Sequence, residues 1–381
     1  MAEIIKKKFA FYIPSLQGGG TERFLVNLLN GLGEGNSDLS LILEGTHGEY
    51  FNSLPKNINI VSLNTHRIFK IFFKLIKYLR NEKPDIIFCA LPHVNIVSIL
   101  AVIFSGSKTK IIISERSTFS RLASHSARKL SHKLIARFVF PLLMRALYPK
   151  ADAIVCVSNG VADDLIKIVG NLRNIKVIYN PVARPDVIRL SKDSVEHEWF
   201  LDKKVPVILA VGRFTKAKDY PTLLRAFSIV QNETDARLVI LGKGEEKEKI
   251  LSLIKSLGIE KNTALLGFQE NPYKYMSKAT VFVLSSTLEG FPNVLVEAMA
   301  CGAPVVATNC ESGPCEIIIN RESGILVPVG QEKELSEAIN YILKNENFRK
   351  KISANGLARA EFFSFNKGIA EYKNLFNELL K

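Results

Sequence analysis

Two glutamates, Glu289 and Glu297, stand with seven residues between them in the run LEGFPNVLVEAMACG, where the densest candidate chemistry of the chain lies. Val281–Ser285 reads as a strand, and a helix opens at Pro292 or Asn293, since Pro suits a first helical turn and Asn a cap. A helix start presents unpaired backbone amides, so those of Asn293, Val294 and Leu295 could hold phosphate oxygens. Glu297, about one turn in, could accept two ribose hydroxyls, and Glu289 on the preceding loop could reach a sugar. A carboxylate early in a helix also favours the helix dipole. That accounts for Glu297 alone and leaves the apolar linker Gly290-Phe291-Pro292 without a structural reason.

Two further loops carry matching groups. Val211-Gly212-Arg213-Phe214-Thr215-Lys216-Ala217-Lys218 follows a strand. Its cations Arg213 and Lys218 could neutralise a diphosphate without a metal, or stand as solvated surface charges. Gln17-Gly18-Gly19-Gly20-Thr21-Glu22-Arg23 follows the first strand and opens a helix. The glycines let the backbone approach a ligand, and the amides around Gly19 and Gly20 suit a phosphate; a bare strand-to-helix turn is the plainer reading. No Gly-Lys-Ser/Thr follows, which excludes a Walker loop, and Arg23 stands where a dinucleotide fingerprint needs a third small residue. Glu44, after the second strand, sits near where a ribose-binding acid would, which keeps a dehydrogenase open.

The elements that must position these loops are legible as short β-branched runs alternating with amphipathic stretches. Strands are expected at Phe9–Ile13, Leu39–Leu43, Ile58–Val61, Asp85–Ala90, Lys110–Ser114, Ala153–Val157 and Lys176–Tyr179. A second series follows at Pro206–Val211, Arg237–Leu241, Thr263–Gly267, Val281–Ser285, Pro304–Thr308 and Gly324–Val327. Helices are expected at Glu22–Leu32, Ile68–Asn81, Ser126–Leu147, Tyr220–Gln231, Glu245–Leu257 and Glu332–Lys344. Apolar strands alternating with helices indicate α/β architecture with parallel sheets covered on both faces, and two series indicate two doubly wound domains. The break falls after Tyr179-Asn180-Pro181, where prolines and the charged stretch Ser191–Asp202 read as a hinge and an excursion. Ligands of such sheets bind at the carboxyl ends of strands, and the three loops lie there.

With 47% apolar and 23% charged residues, the chain has the composition of a folded protein. Its five cysteines are scattered, without a CxxC or a histidine beside Cys310 and Cys315, so a reducing compartment and no structural metal are expected. No secretory signal is read, because the apolar stretch after Lys6-Lys7-Lys8 ends at Pro14. The longest uncharged apolar run, Val94–Phe104, falls short of the roughly 18–20 residues that span a bilayer, so a soluble or peripheral protein is expected. The charge is lopsided: residues 1–180 hold 24 Lys and Arg against 12 Asp and Glu, leaving only +2 of the net +14 to the rest. Such a surface suggests an anionic partner: a phosphorylated substrate, a nucleic acid or an acidic membrane.

The motifs GGGTER, VGRF with Lys218, LGF, EGFPNVLVEAMACGAPVVAT and SGPCEII together resemble the family 4 retaining glycosyltransferases, over the whole chain. The resemblance implies the GT-B fold, two facing Rossmann-like domains with an interdomain cleft. Residues 1–182 would form the acceptor-side domain, joined by a C-terminal helix at 363–381, and residues 183–362 the nucleotide-sugar domain. It implies that Glu289 contacts the transferred hexose, Glu297 the ribose, and Arg213 and Lys218 the leaving diphosphate. Backbone around Gly267 and Phe268 would hold the base, the Gly290-Phe291 linker would line the donor, and Gly18–Gly20 would approach the β-phosphate. The cofactor expectation is therefore none, with a UDP-linked nucleotide-sugar co-substrate and no metal. The resemblance favours front-face attack, the diphosphate helping to deprotonate the acceptor. Where many relatives carry a histidine after the fifth strand, this sequence reads Ile113-Ser114-Glu115-Arg116-Ser117. Arg116 stands in that place, Glu115 beside it could also point inward, and His93 after the fourth strand is a second cleft candidate.

Residues 121–150 mix basic side chains with Leu130, Leu134, Phe138 and Leu142 at four-residue spacing. This pattern fits an interfacial helix on anionic lipid and equally a long helix packed on its own sheet. The expected acceptor is a glycan or polyprenyl-linked glycan of bacterial surface-polysaccharide synthesis, at the cytoplasmic side of the membrane. A nucleic-acid partner is set aside, because no aromatic-interleaved basic strand or recognised binding module is present. An epimerase or hydrolase of the same fold, or a non-catalytic anion-binding protein, is the alternative.

Overall fold

The computed structural model describes residues 6–17, 19–33, 37–46, 48–119, 138–201 and 204–381. The chain divides into two compact units, Met1–Pro181 with Phe365–Lys381, and Val182–Ser364.

The first unit runs β1 (Lys8–Tyr12), α1 (Gly20–Gly33), β2 (Asp38–Leu43), β3 (Asn59–Ser62), α2 (Ile68–Glu82), β4 (Ile86–Ala90), α3 (Pro92–Ser105), β5 (Lys110–Glu115), α4 (Phe140–Leu147), β6 (Ala153–Cys156), α5 (Asn159–Val169) and β7 (Ile175–Val177). Its seven strands lie in the order β3-β2-β1-β4-β5-β6-β7, and every pairing is parallel. Right-handed crossovers therefore put α1 on one face and α2, α3 and α4 on the other, with the order reversing between β1 and β4. The C-terminal helix, Phe365–Leu379, packs beside α1, its Tyr372 and Phe376 in the core with Phe9, Phe11 and Phe24.

The second unit adds α6 (Pro185–Ser191), α7 (Glu198–Leu201), β8 (Val207–Val211), α8 (Tyr220–Gln231), β9 (Arg237–Leu241), α9 (Lys247–Ser256), β10 (Thr263–Gly267), α10 (Tyr273–Met276), β11 (Val281–Leu284), α11 (Asn293–Ala300), β12 (Val305–Thr308), α12 (Pro314–Ile317), β13 (Ile325–Val327), α13 (Glu332–Lys344) and α14 (Glu346–Glu361). Its six strands run β10-β9-β8-β11-β12-β13, again all parallel. The order reverses between β8 and β11, which makes the carboxyl ends of those two strands the expected ligand crevice.

Two local readings change. The apolar run Val94–Phe104 forms most of α3, a helix that opens with Pro92 and ends at Gly106 in the left-handed region. It is apolar nearly all round because it packs between α2 and α4 and against β4 and β5. Most of the expected helix Ser126–Leu147 lies outside the described residues; its end is α4. Among the described residues, no helix is long and apolar enough to cross a membrane.

Candidate active site

In the second unit the loops after β8 and β11 are sewn together at the point where strand order reverses. The amide of Thr287 donates to the carbonyl of Ala217 at 2.8 Å, and Ser285 Oγ donates to the carbonyl of Lys218 at 2.8 Å. The result is an ion pair across the switch point: Lys218 Nζ lies 2.6 Å from Glu289 Oε1, with the two side chains only 21% and 11% exposed. Ser286 Oγ donates to the same carboxylate oxygen at 2.6 Å. An ammonium and a carboxylate held this far from water keep fixed positions and a strong local field. Arg213, on the same loop as Lys218, is exposed.

The β8 loop is braced from its other side. Phe214 is buried edge-on against Tyr220, and its amide donates to the carbonyl of Lys243 at 2.8 Å. The loop after β9 comes so near that a Cβ on Gly242 would fall 1.9 Å from the Gly212 carbonyl oxygen, which is why a glycine stands there.

Glu289 leads into α11, and here the structure corrects two expectations. Pro292, not Asn293, occupies the cap position, no side chain caps the helix, and Asn293 is its first residue. The amide of Leu295 donates to the Pro292 carbonyl at 3.0 Å, so it does not project from the helix start as expected, leaving Asn293 and Val294 at the very tip. The apolar linker also has a packing role. Phe291 is buried edge-on against Phe363 at 5.3 Å, and Gly290 before it is buried too. Pro292 sits against Gly313, where a φ of +89° and a Cβ that would fall 2.6 Å from Pro292 Cδ both oppose a side chain. Glu297 is buried in the second turn of α11, where Tyr273 Oη donates to it at 3.3 Å. Phe268, just past β10, keeps an exposed ring with Lys243 over it at 5.6 Å.

In the first unit, Gly18 lies outside the described residues. Gly19 is shielded by its own helix: a Cβ there would fall 2.1 Å from Glu22 Oε2, whereas Gly20 opens α1 onto empty space. Across the neighbouring strand ends, Glu44 accepts from Tyr12 Oη at 3.1 Å and lies 2.9 Å from His66 Nδ1. His93, the second residue of α3, is exposed but partly desolvated, which lowers its pKa, an effect Glu44 opposes. Glu115 turns inward. It is buried at the end of β5, with Tyr148 Oη donating to it and Asn95 Nδ2 at 2.8 Å. Arg116 stacks over the Phe24 ring at 3.6 Å and donates to Ser114 and Asn180, a clamp joining β5, α1 and the residue before Pro181.

Residues 191–359 match the family described as Glycosyl transferases group 1, and residues 18–184 match Glycosyltransferase Family 4. The chain is 33% identical, over 94% of its length and 96% of the relative's, to an N-acetylgalactosamine-N,N'-diacetylbacillosaminyl-diphospho-undecaprenol 4-alpha-N-acetylgalactosaminyltransferase of Campylobacter jejuni. The chain belongs to glycosyltransferase family 4. A second relative from that organism, a GalNAc-alpha-(1->4)-GalNAc-alpha-(1->3)-diNAcBac-PP-undecaprenol alpha-1,4-N-acetyl-D-galactosaminyltransferase, is 30% identical over 96% of this chain and 99% of its own. Among solved structures, a Rickettsia africae glycosyltransferase superposes with a TM-score of 0.81 at 20% identity, covering 99% of both chains. Anabaena HepE in complex with UDP and glucose superposes at 0.78, also at 20% identity, covering 97% of this chain and 99% of its own. These structures establish the GT-B glycosyltransferase fold.

Some supports of this glycosyltransferase escape sequence reasoning. Ser286 and Ser312 orient Glu289, the latter through a bond from its hydroxyl to the Glu289 carbonyl. Ser312 belongs to the SGPCEII motif, which gave the signal without the role. In the first unit, burial pushes the Glu115 carboxyl from 4.5 up to about 7, against the lowering effect of Tyr148 and Asn95. Because the folded state holds this proton longer than the unfolded chain, the associated stability is complete below pH 4.5 and is lost as pH rises to about 7. Glu115→Gln is therefore expected to flatten that slope and to be the more stable form at pH 8, by on the order of 2–3 kcal/mol. Thermal unfolding midpoints of both proteins from pH 5 to 8 check this; parallel profiles would contradict it.

Proposed function

We propose that the enzyme is a retaining transferase that moves a hexose or N-acetylhexosamine from a nucleoside-diphosphate sugar, UDP-linked, to a lipid-linked glycan. The observation that carries this reading is the Lys218–Glu289 pair at the strand-order reversal of the second unit, beside the start of α11. A diphosphate seated there would meet the Lys218 ammonium, the Arg213 guanidinium and the amides of Asn293 and Val294. Lys218, held in place, and Arg213 beside it supply the charge that a divalent metal would otherwise bring, so we assign the reaction no metal requirement. Glu297 would accept the ribose hydroxyls, and Phe268 with the backbone at Gly267 would hold the base.

Glu289 would take a hydroxyl of the transferred sugar while keeping Lys218 aimed at the leaving phosphate. The acceptor hydroxyl attacks the anomeric carbon from the face the diphosphate leaves. The bond from that carbon to the phosphate oxygen breaks, the new glycosidic bond forms, and the hydroxyl proton passes to the departing diphosphate. No protein nucleophile is needed, and catalysis rests on positioning and on charge stabilisation. The names of the two Campylobacter jejuni relatives, both α-N-acetylgalactosaminyltransferases, support an α-linked product, which a UDP-α-sugar gives by retention. The diphospho-undecaprenol carriers in those names support a polyprenyl-linked acceptor, and with it work at the cytoplasmic surface of a membrane. The Gly19–Gly20 turn, His93 and Arg116 are assigned to the acceptor-side unit.

Thermal shift and released-nucleotide assays across UDP-, GDP-, ADP- and dTDP-sugars test the donor. UDP compounds are expected to stabilise the protein and to be consumed; a preference for another base, or stabilisation by none, would reject it.

A further inference from the structure

The loop from Glu289 to Pro292 leads into α11 without a side-chain cap, so its position depends on what packs against it. Its supports come from two stretches far along the chain. Ser312 Oγ donates to the Glu289 carbonyl, and the next residue, Gly313, lies against Pro292. Phe363 receives the Phe291 ring edge-on, with the centroids 5.3 Å apart. Ser312-Gly313 leads into α12, a helix of only four residues, and Phe363 lies just past the end of α14.

One side chain joins these two stretches. Arg359, in the last turn of α14, donates through Nε to the carbonyl of Ile317 at 3.0 Å and through Nη2 to that of Glu316 at 2.7 Å. Both carbonyls close α12, where a helix end leaves such groups without a partner in the helix itself. The same guanidinium lies over the rings of Phe362 and Phe363, 4.9 Å from each centroid. A planar cation can do both at once, donating from its edge while its face stacks, and an ammonium cannot. Phe363 is also fixed through its backbone, its carbonyl accepting from the amides of Val182 and Ala183, each at 3.3 Å. Arg359 thus fixes α12, which follows Ser312-Gly313, together with the ring on which Phe291 rests.

We propose that Arg359 is a positioning residue for sugar transfer, holding through α12 and Phe363 the loop that aims Glu289. This deepens the proposed reaction and rests on the role given there to Glu289. Arg213, Lys218, Glu297 and Phe268, the side chains assigned to the nucleotide, lie off this loop. Loosening the loop therefore costs turnover rather than UDP affinity, since small misplacements at a reacting centre are expensive.

The test sets Arg359→Ala beside Arg349→Ala. Arg349 is also half-buried on α14 and also donates to two helix-end carbonyls, those of Ile342 and Leu343, both at 3.1 Å, but these belong to α13. Turnover is read with the UDP-sugar that the parent protein consumes fastest, and UDP binding by calorimetry. Arg359→Ala is expected to lower kcat about tenfold, with UDP affinity within about threefold of the parent. Arg359→Lys should recover only part of that loss, because its ammonium can serve a carbonyl but not the two rings as well. Arg349→Ala should lower the unfolding temperature comparably yet keep kcat within about twofold of the parent. Should Arg359→Ala fail to fold, Arg359→Lys against Arg349→Lys carries the same comparison. If Glu289→Gln loses turnover but the two arginine variants lose kcat alike, or Arg359→Ala loses UDP affinity as far as kcat, this inference alone is overturned. If Glu289→Gln turns over as the parent does, the reading of Glu289 fails and this inference with it.

Discussion

Lys218→Ala is expected to lower kcat by about 10²–10³-fold while UDP affinity falls far less, because charge on the leaving diphosphate is greatest in the transition state. Arg213→Ala should act in the same direction. The structure adds a consequence that separates catalysis from folding. With Lys218 gone, Glu289 keeps Ser286 as a donor but loses its cation at an 11% exposed position, so stability should fall by about 1–2 kcal/mol. Removing both partners in Lys218→Ala/Glu289→Ala should restore much of that stability and none of the activity. Single-turnover rates, UDP titration and thermal unfolding of the three variants check the set; unchanged turnover in Lys218→Ala would reject the assignment.

Glu289→Gln is the second large effect. The amide preserves size and can still accept from Ser286, so the fold should tolerate it, but the charge that holds the Lys218 ammonium is removed. Turnover of the sugar donor should drop by about 10²-fold, while UDP itself, which lacks the sugar, should bind within a few-fold of the parent. Glu297→Ala should show the converse, weakening UDP by roughly tenfold through loss of the ribose contacts. Calorimetric UDP titrations beside steady-state rates check both. Equal loss of UDP binding in the two variants would contradict the separate roles given to these glutamates.

That separation was only partly legible in the sequence. Periodicity places both strand series, because parallel strands buried on two faces read as apolar runs whatever the function. Strand ends shift by a residue or two where a loop hydrogen bond, such as that of Ser285 to the Lys218 carbonyl, takes over from the ladder. Pro292 and Asn293 are both good helix openers, so the sequence leaves the start of α11 between them, and only backbone geometry puts the cap at Pro292 and the first helical residue at Asn293. The Gly290-Phe291-Pro292 linker looked purposeless without a ligand, since its partners Gly313 and Phe363 are distant in sequence. Glu289 likewise has structural partners in Lys218 and Ser286, so a ligand is not the sole reason for its presence. In the first unit, Glu115 and Arg116 are adjacent in sequence yet part company, one into a buried polar pocket and the other onto Phe24. Strand alternation predicts that divergence but not which side carries the ligand.

The most direct test of the central claim is the product itself. The enzyme is incubated with a UDP-N-acetylhexosamine and a polyprenyl-diphosphate-linked glycan, and the new anomeric centre is read by proton NMR as UDP is released. Acceptor-dependent UDP release with an α-linked product is the predicted result. A β-linked product, or no transfer from any UDP-sugar to any such acceptor, would contradict it.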